Sequence, residues 1–351
     1  MISLNHQVLV GESRRSAQIS LVMTILPGLF LLLLSCSPRV EQDRYRVGFL
    51  METLKEERWQ RDRNLFVAAA EKLGAEVDVV ACNHDDNLQL AQAEAMLAKG
   101  VDLLVVVPHN GDICATIVRK AHAQGVRVIA YDRLIRNCDL DLYVSFDNER
   151  VGELQAQYVV DRLPRGNLVL IGGAKTDNNA LLFRKGQLNV LQPLIDSGLY
   201  RVIMDQWATD WQPAEAMKHM ENALSRTTDI QAVIASNDGT AGGAIQALAE
   251  KGLAGRVLVT GQDAELAACR RIVAGTQSMT VYKPIHRLAE AAAEAAIQIL
   301  KGQVVHRATD AVPNGRIDVP SILIEPVVVD ISNIRQTVIA EGFHSEHAIF
   351  D

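Results

Sequence analysis

Carboxylate, amide and guanidinium side chains recur in this sequence directly after short runs rich in β-branched residues. Val128-Ile129-Ala130-Tyr131 is followed by Asp132 and Arg133, and Tyr143-Val144-Ser145-Phe146 by Asp147 and Asn148. Val233-Ile234-Ala235-Ser236 leads to Asn237 and Asp238, and Val257-Leu258-Val259-Thr260-Gly261 to Gln262 and Asp263. Met279-Thr280-Val281-Tyr282 ends at Lys283, and two further runs lead to Glu56-Glu57-Arg58-Trp59 and Asp177-Asn178-Asn179. A carboxylate accepts from two donors at once, whereas Arg and Lys only donate. That mixture suits a neutral polyhydroxylated ligand, because each hydroxyl both donates and accepts. A sugar also presents C–H faces that pack on aromatic rings. All three tryptophans, Trp59, Trp207 and Trp211, fall in expected loops, and Trp59 and Trp211 are the ones expected at the ligand.

Reaction chemistry has no comparable signature. The sequence holds no Gly-x-Ser-x-Gly elbow, no His-Glu-x-x-His and no Cys-x-x-Cys. Gly172-Gly173-Ala174-Lys175-Thr176 lacks the leading glycine of a phosphate-binding loop and reads as a strand exit. The histidines are dispersed, and His344 and His347 read as solvated residues rather than a metal pair. Asp139-Leu140-Asp141 lacks the later positions of a calcium loop. The expectation is a site that holds without reacting: no catalytic residue, no metal and no cofactor.

These residues need strands to carry them, and the sequence supplies two series. Arg46–Leu50, Glu76–Ala81, Asp102–Val107, Val126–Tyr131 and Leu142–Phe146 form the first. Asn167–Gly172, Tyr200–Asp205, Gln231–Ser236, Arg256–Gly261 and Ser278–Tyr282 form the second. Most are continuous apolar runs, as expected of strands covered on both faces. Helical spacing fills the gaps, for example Phe66, Ala69, Ala70 and Leu73, and several helices close on glycine, as at Gly74, Gly100, Gly125 and Gly252. Repeated strand–helix units of this kind predict α/β architecture, with two doubly wound parallel-sheet lobes. Ligands of such sheets bind beyond the carboxyl ends of the strands, where the polar residues sit. The helix Ile285–Lys301 and a strand Ile322–Val329 are left to complete one lobe or the other.

Composition agrees. The 351 residues are 48% hydrophobic with a net charge of −7, which argues against a nucleic-acid partner. Arg14 and Arg15 precede an uncharged run from Ser16 to Pro38, the pattern of an export signal over residues 1–35. That run ends Leu33-Leu34-Ser35-Cys36, so Cys36 is the expected site of lipidation and the signal is read as lipoprotein type. The remaining Cys82, Cys114, Cys138 and Cys269 lie in apolar or helical contexts and are expected as buried free thiols.

Several longer motifs carry a family resemblance. Arg58-Trp59-Gln60-Arg61-Asp62-Arg63, Ala130-Tyr131-Asp132-Arg133, Ser145-Phe146-Asp147-Asn148-Glu149 and Asp205-Gln206-Trp207 resemble those of the bacterial D-xylose-binding periplasmic proteins. So do Ala235-Ser236-Asn237-Asp238, Ala241-Gly242-Gly243-Ala244-Ile245-Gln246-Ala247-Leu248, Gly261-Gln262-Asp263-Ala264 and Met279-Thr280-Val281-Tyr282-Lys283-Pro284. The similarity runs from about Tyr45 to Phe343. It implies a periplasmic binding protein of type I, with two lobes joined by a three-crossover hinge that close over one sugar. We therefore expect one lobe from 45–148 plus 284–310 and the other from 149–283 plus 311–345. The resemblance implies Arg58, Trp59, Asp132, Arg133, Asn179, Trp211, Asn237, Asp263 and Lys283 as ligand contacts, with Trp59 and Trp211 sandwiching the pyranose. It further implies a monomer that delivers D-xylose to the permease of an ABC importer. The alternatives are a sensor docking on a membrane histidine kinase and a binder of a related sugar such as ribose or arabinose. The segment Glu52-Thr53-Leu54-Lys55 departs from the family's usual acidic pair.

Overall fold

The computed structural model describes residues 44–351; the expected export signal and Cys36 lie outside them. The first half alternates β1 (Tyr45–Met51), α1 (Glu57–Lys72), β2 (Ala75–Ala81), α2 (Asp86–Ala98), β3 (Leu103–Val106), α3 (Ala115–His122), β4 (Arg127–Tyr131) and β5 (Leu142–Phe146). Then come α4 (Asn148–Val160), β6 (Gly166–Gly172), α5 (Asn178–Asp196), β7 (Tyr200–Trp207), α6 (Pro213–Leu224), β8 (Ala232–Ala235), α7 (Asp238–Glu250), β9 (Leu258–Thr260), α8 (Leu266–Val273) and β10 (Thr280–Tyr282). The chain ends with α9 (Ile285–Leu300), β11 (Asp310–Pro313), β12 (Asp318–Ile324), β13 (Val327–Val329) and α10 (Glu346–Phe350). All ten expected strands are present. The glycines expected at helix ends adopt the required left-handed backbone, with φ of 92° at Gly74 and 78° at Gly100.

Two sheets organise the fold. One has seven strands in the order β11-β12-β5-β4-β3-β1-β2; the other has four, β7-β6-β8-β9, beside a β10-β13 ribbon. Both are covered on their two faces along most of their strands, which is why β3, β5 and β8 are apolar or buried at every position while the edge strands β2, β7 and β11 are not. In β3, Leu103 and Val105 pack toward α1 and α9, while Leu104 and Val106 pack toward α2 and α3. In β6, Val169 and Ile171 enter one core, and Leu168 and Leu170 the other. Helix α9 buries Ala289, Ala292, Ala293 and Ala296, small residues that let it lie close against α1 and the first sheet.

The expected strand Ile322–Val329 is two strands in different sheets. Glu325 and Pro326 interrupt it, and Pro326 has no N–H for a ladder. β12 pairs parallel to β5, whereas β13 pairs antiparallel to β10. Residues 311–324 therefore belong with the first sheet, which corrects their assignment to the second lobe. The chain passes between elements packed on the two sheets at β5–α4, at β10–α9 and at β12–β13. Cys82, Cys114, Cys138 and Cys269 are buried and unpaired, as expected.

Candidate functional site

Strand ends and helix starts from both sheets meet at one cavity. Arg58 and Trp59 lie in the first turn of α1, and Asp132 and Arg133 follow β4. From the second sheet come Asn179 at the start of α5, Asn237 capping α7, Asp263 after β9 and Lys283 after β10. Trp211 closes a single 3₁₀ turn after β7. All nine expected residues line this cavity. Backbone strain concentrates here too. Among the described residues, five of the eight non-glycine residues with positive φ line the cavity: His84, Asp132, Asp210, Trp211 and Asp263. Such conformations cost of order 1–3 kcal/mol each and persist only where surrounding contacts impose them.

The charges are paired across the cavity. Arg58 donates from Nη2 to Asp132, from Nη1 to Asp263 Oδ1 at 3.2 Å and from Nε to Asp62 Oδ2 at 3.2 Å. Lys283 Nζ lies 2.9 Å from Asp263 Oδ1 and 4.0 Å from Asp132 Oδ1. Arg133 joins Asp177 Oδ2 at 2.8 Å and Glu52 Oε2 at 3.2 Å. Asn179 Nδ2 donates to both the backbone carbonyl and the carboxylate of Asp132, at 3.0 and 3.2 Å. Burial opposes the charge on Asp132, but Arg58 and Lys283 prevail and hold its carboxyl below the usual range. At Asp238 and Glu265 burial outweighs the nearby Arg271 and the balance reverses. Burial and repulsion by Asp263 raise Asp238 to about 7, and burial with the Asp238 charge raises Glu265 to about 8. Most of the lining charges are paired, so the cavity offers both donors and acceptors, as a polyol requires, while Glu56 and Glu265 line it without an ion-pair partner among the described residues.

Aromatic rings complete the lining. Trp59 is buried, with the Arg58 and Arg133 guanidinium groups 4.5 and 5.3 Å from its ring centroid. Trp211 packs edge-on to Phe183 at 6.2 Å, and its indole Nε1 is buried without a partner, as a donor reserved for a ligand would be. Trp207 differs: it ends β7 under the side chains of Arg184 and Lys175, away from the cavity. Trp211 is seated on Gly173, where an added Cβ would lie 2.2 Å from the indole. Gly173→Ala is expected to tilt Trp211 and weaken ligand binding at least tenfold while leaving the circular dichroism spectrum unchanged, which a titration of the variant checks.

The cavity also contains Glu52, Glu56, His84, Asp177, Phe183, Asp210, Gln262 and Glu265, which the sequence reading did not assign as contacts. Phe183 follows Asn179 by four residues on α5 and so shares its face. Glu52 and His84 follow β1 and β2, strand exits of the same kind as those singled out.

Against known proteins, a model described as a periplasmic binding protein domain matches residues 47–303. The chain belongs to the periplasmic binding protein family. A D-xylose-binding periplasmic protein of Haemophilus influenzae is 51% identical over 306 residues, covering 87% of this chain and 92% of the relative. Two solved solute-binding proteins share the fold closely. A carbohydrate transporter solute-binding protein from Chloroflexus aurantiacus, in complex with D-glucose, superposes with a TM-score of 0.81 and 34% identity. That match covers 86% of this chain and 97% of the other. An ABC transporter solute-binding protein from Clostridium phytofermentans, with β-D-glucose bound, gives 0.80 and 31%, covering 87% and 99%. These relatives are binding proteins, and the fold here is the two-sheet fold they share.

Proposed function

We propose that this periplasmic binding protein captures D-xylose between its two sheets and presents the closed form to an ABC importer permease. The observation that carries this is the pairing of charges from both sides of one cavity, with Arg58 bridging Asp132 and Asp263. Hydroxyls of a pyranose fit such a network by accepting from Arg58, Arg133, Lys283, Asn179 and Asn237 and donating to Asp132 and Asp263. Trp59 and Trp211 take its two C–H faces. Because contacts come from both sheets, sugar stabilises the closed arrangement over an open one. The 51% identity to a D-xylose-binding protein supports the pentose, and the transporter relatives support a permease rather than a histidine kinase as partner. The protein acts as a monomer and performs no reaction on the sugar.

Tryptophan fluorescence tests the reading directly, since two of the three tryptophans line the cavity. D-xylose at micromolar concentration should change the emission saturably; no change with any sugar would contradict it. Lipidation of Cys36 would keep this receptor at the membrane beside its permease. Cys36→Ser should then shift the protein from the membrane to the soluble fraction, and an unchanged distribution would remove the anchor.

A further inference from the structure

Strand order brings together residues that sequence distance separates. β3, β1 and β2 are neighbours, and their carboxyl ends lead to His109, Glu52 and His84. One donor atom from each of these three lies within 4.8 Å of the others. The two imidazole rings stand nearly perpendicular, with centroids 5.7 Å apart. Asp210, after β7 of the other sheet, places Oδ1 at 3.7 Å from His109 Nε2.

The hydrogen-bond roles leave a gap that calls for a cation. His109 Nδ1 is 2.9 Å from Asp86 Oδ1, a carboxylate that can only accept, so the Nδ1 proton points there. In the neutral ring, Nε2 is then an acceptor, and it faces a second acceptor on Asp210. His84 Nδ1 lies 2.7 Å from Glu52 Oε1. Yet His84 Nδ1 and His109 Nε2 are both buried without a well-aligned hydrogen bond. Glu52 is 2% exposed, and its other oxygen faces Arg133, which fixes its orientation.

We propose that Glu52, His84, His109 and Asp210 bind one divalent transition-metal ion of the Zn²⁺ type at the margin of the cavity. Two imidazoles with two carboxylates are a donor set for such an ion rather than for Mg²⁺ or Ca²⁺. Tetrahedral bonds of 2.0–2.1 Å place donors about 3.3 Å apart. The separations of 2.7 Å (Glu52–His84) and 3.7 Å (His109–Asp210) bracket that value, and the donors of Glu52, His84 and His109 lie within 4.8 Å of one another, so side-chain rotations would have to draw the set together around the ion. Asp86 supplies the outer carboxylate that holds a metal-ligating histidine in one tautomer. Three ligands come from the first sheet and one from the second, so the ion clasps the closed form and should tighten sugar binding. That coupling rests on the proposed function; metal binding itself does not.

The test is calorimetric titration of the chelator-treated protein, free of sugar, with ZnCl₂ and separately with MgCl₂. One Zn²⁺ per chain is expected, with no saturable response to Mg²⁺. His109→Ala should abolish binding, and Asp86→Asn, which leaves all four ligands in place, should weaken it roughly tenfold or more. Saturating Zn²⁺ should also raise the melting temperature of the parent but not of His109→Ala. Absence of one-to-one uptake, an equal response to Mg²⁺, or uptake unaffected by His109→Ala would overturn the proposal. In the clasped protein, Zn²⁺ should tighten D-xylose binding at least fivefold. Zn²⁺ uptake that leaves sugar affinity unchanged would overturn the clasp, and a sugar-free titration remains readable even if D-xylose is the wrong sugar.

Discussion

Asp132→Asn is expected to reduce sugar affinity about 10- to 150-fold and to lower thermal stability as well. The carboxylate oxygens of Asp132 both accept: one from Arg58 and the other from Asn179 Nδ2 at 3.2 Å. An amide has one accepting and one donating end, so either orientation sets a donor against a donor. Lys283, 4.0 Å away, also loses part of its counter-charge while remaining buried. A hydrogen bond to a charged group contributes about 1.5–3 kcal/mol, which corresponds to the stated range. The substitution does not disturb the backbone, because Asn tolerates the φ of 63° found here. Since the native carboxyl is held below 3.8, its contribution is present above that pH and is lost only on acidification below it. Calorimetry at neutral pH measures the affinity, and wild-type binding by the variant would remove Asp132 from the site.

Gly186→Ala is expected to lower the melting temperature by about 4–5 °C and to weaken sugar binding in parallel. Helices α4 and α5 cross at two facing glycines. A Cβ on Gly186 would lie 1.9 Å from the Glu149 carbonyl oxygen, and one on Gly152 would lie 2.0 Å from the Phe183 carbonyl oxygen. Both obstacles are backbone, so relief requires the helices to separate. Overpacking costs about 1–3 kcal/mol when side chains can adjust. Here the upper end applies, and at about 2.1 cal/mol/K of unfolding entropy per residue, ~3 kcal/mol in a chain of this size corresponds to the stated shift. Binding suffers because α5 also carries Asn179 and Phe183 into the cavity. A thermal melt of the variant with and without sugar checks both effects; an unchanged midpoint would mean that the helices can part freely.

Much of this was legible before the structure. Continuous apolar runs located ten strands because most strands are covered on both faces, and the family resemblance named nine residues that converge on one cavity. What escaped depended on partners remote in sequence. β11 is an edge strand with exposed or half-buried residues, so no apolar run marks it. The division between β12 and β13 rests on one Glu-Pro pair whose meaning appears only when β5 and β10 are seen as separate partners. Trp207 was expected in a loop and instead extends β7. His84 and His109 are uninformative singly; only the order β3-β1-β2 sets them on either side of Glu52.

The most direct test of the account is calorimetric titration of the protein with D-xylose, followed by ribose, arabinose, glucose and galactose. The account predicts one-to-one binding of D-xylose at micromolar concentration or tighter, with the other four sugars weaker. Silence with D-xylose, alongside clear binding of another sugar or of none, would contradict it.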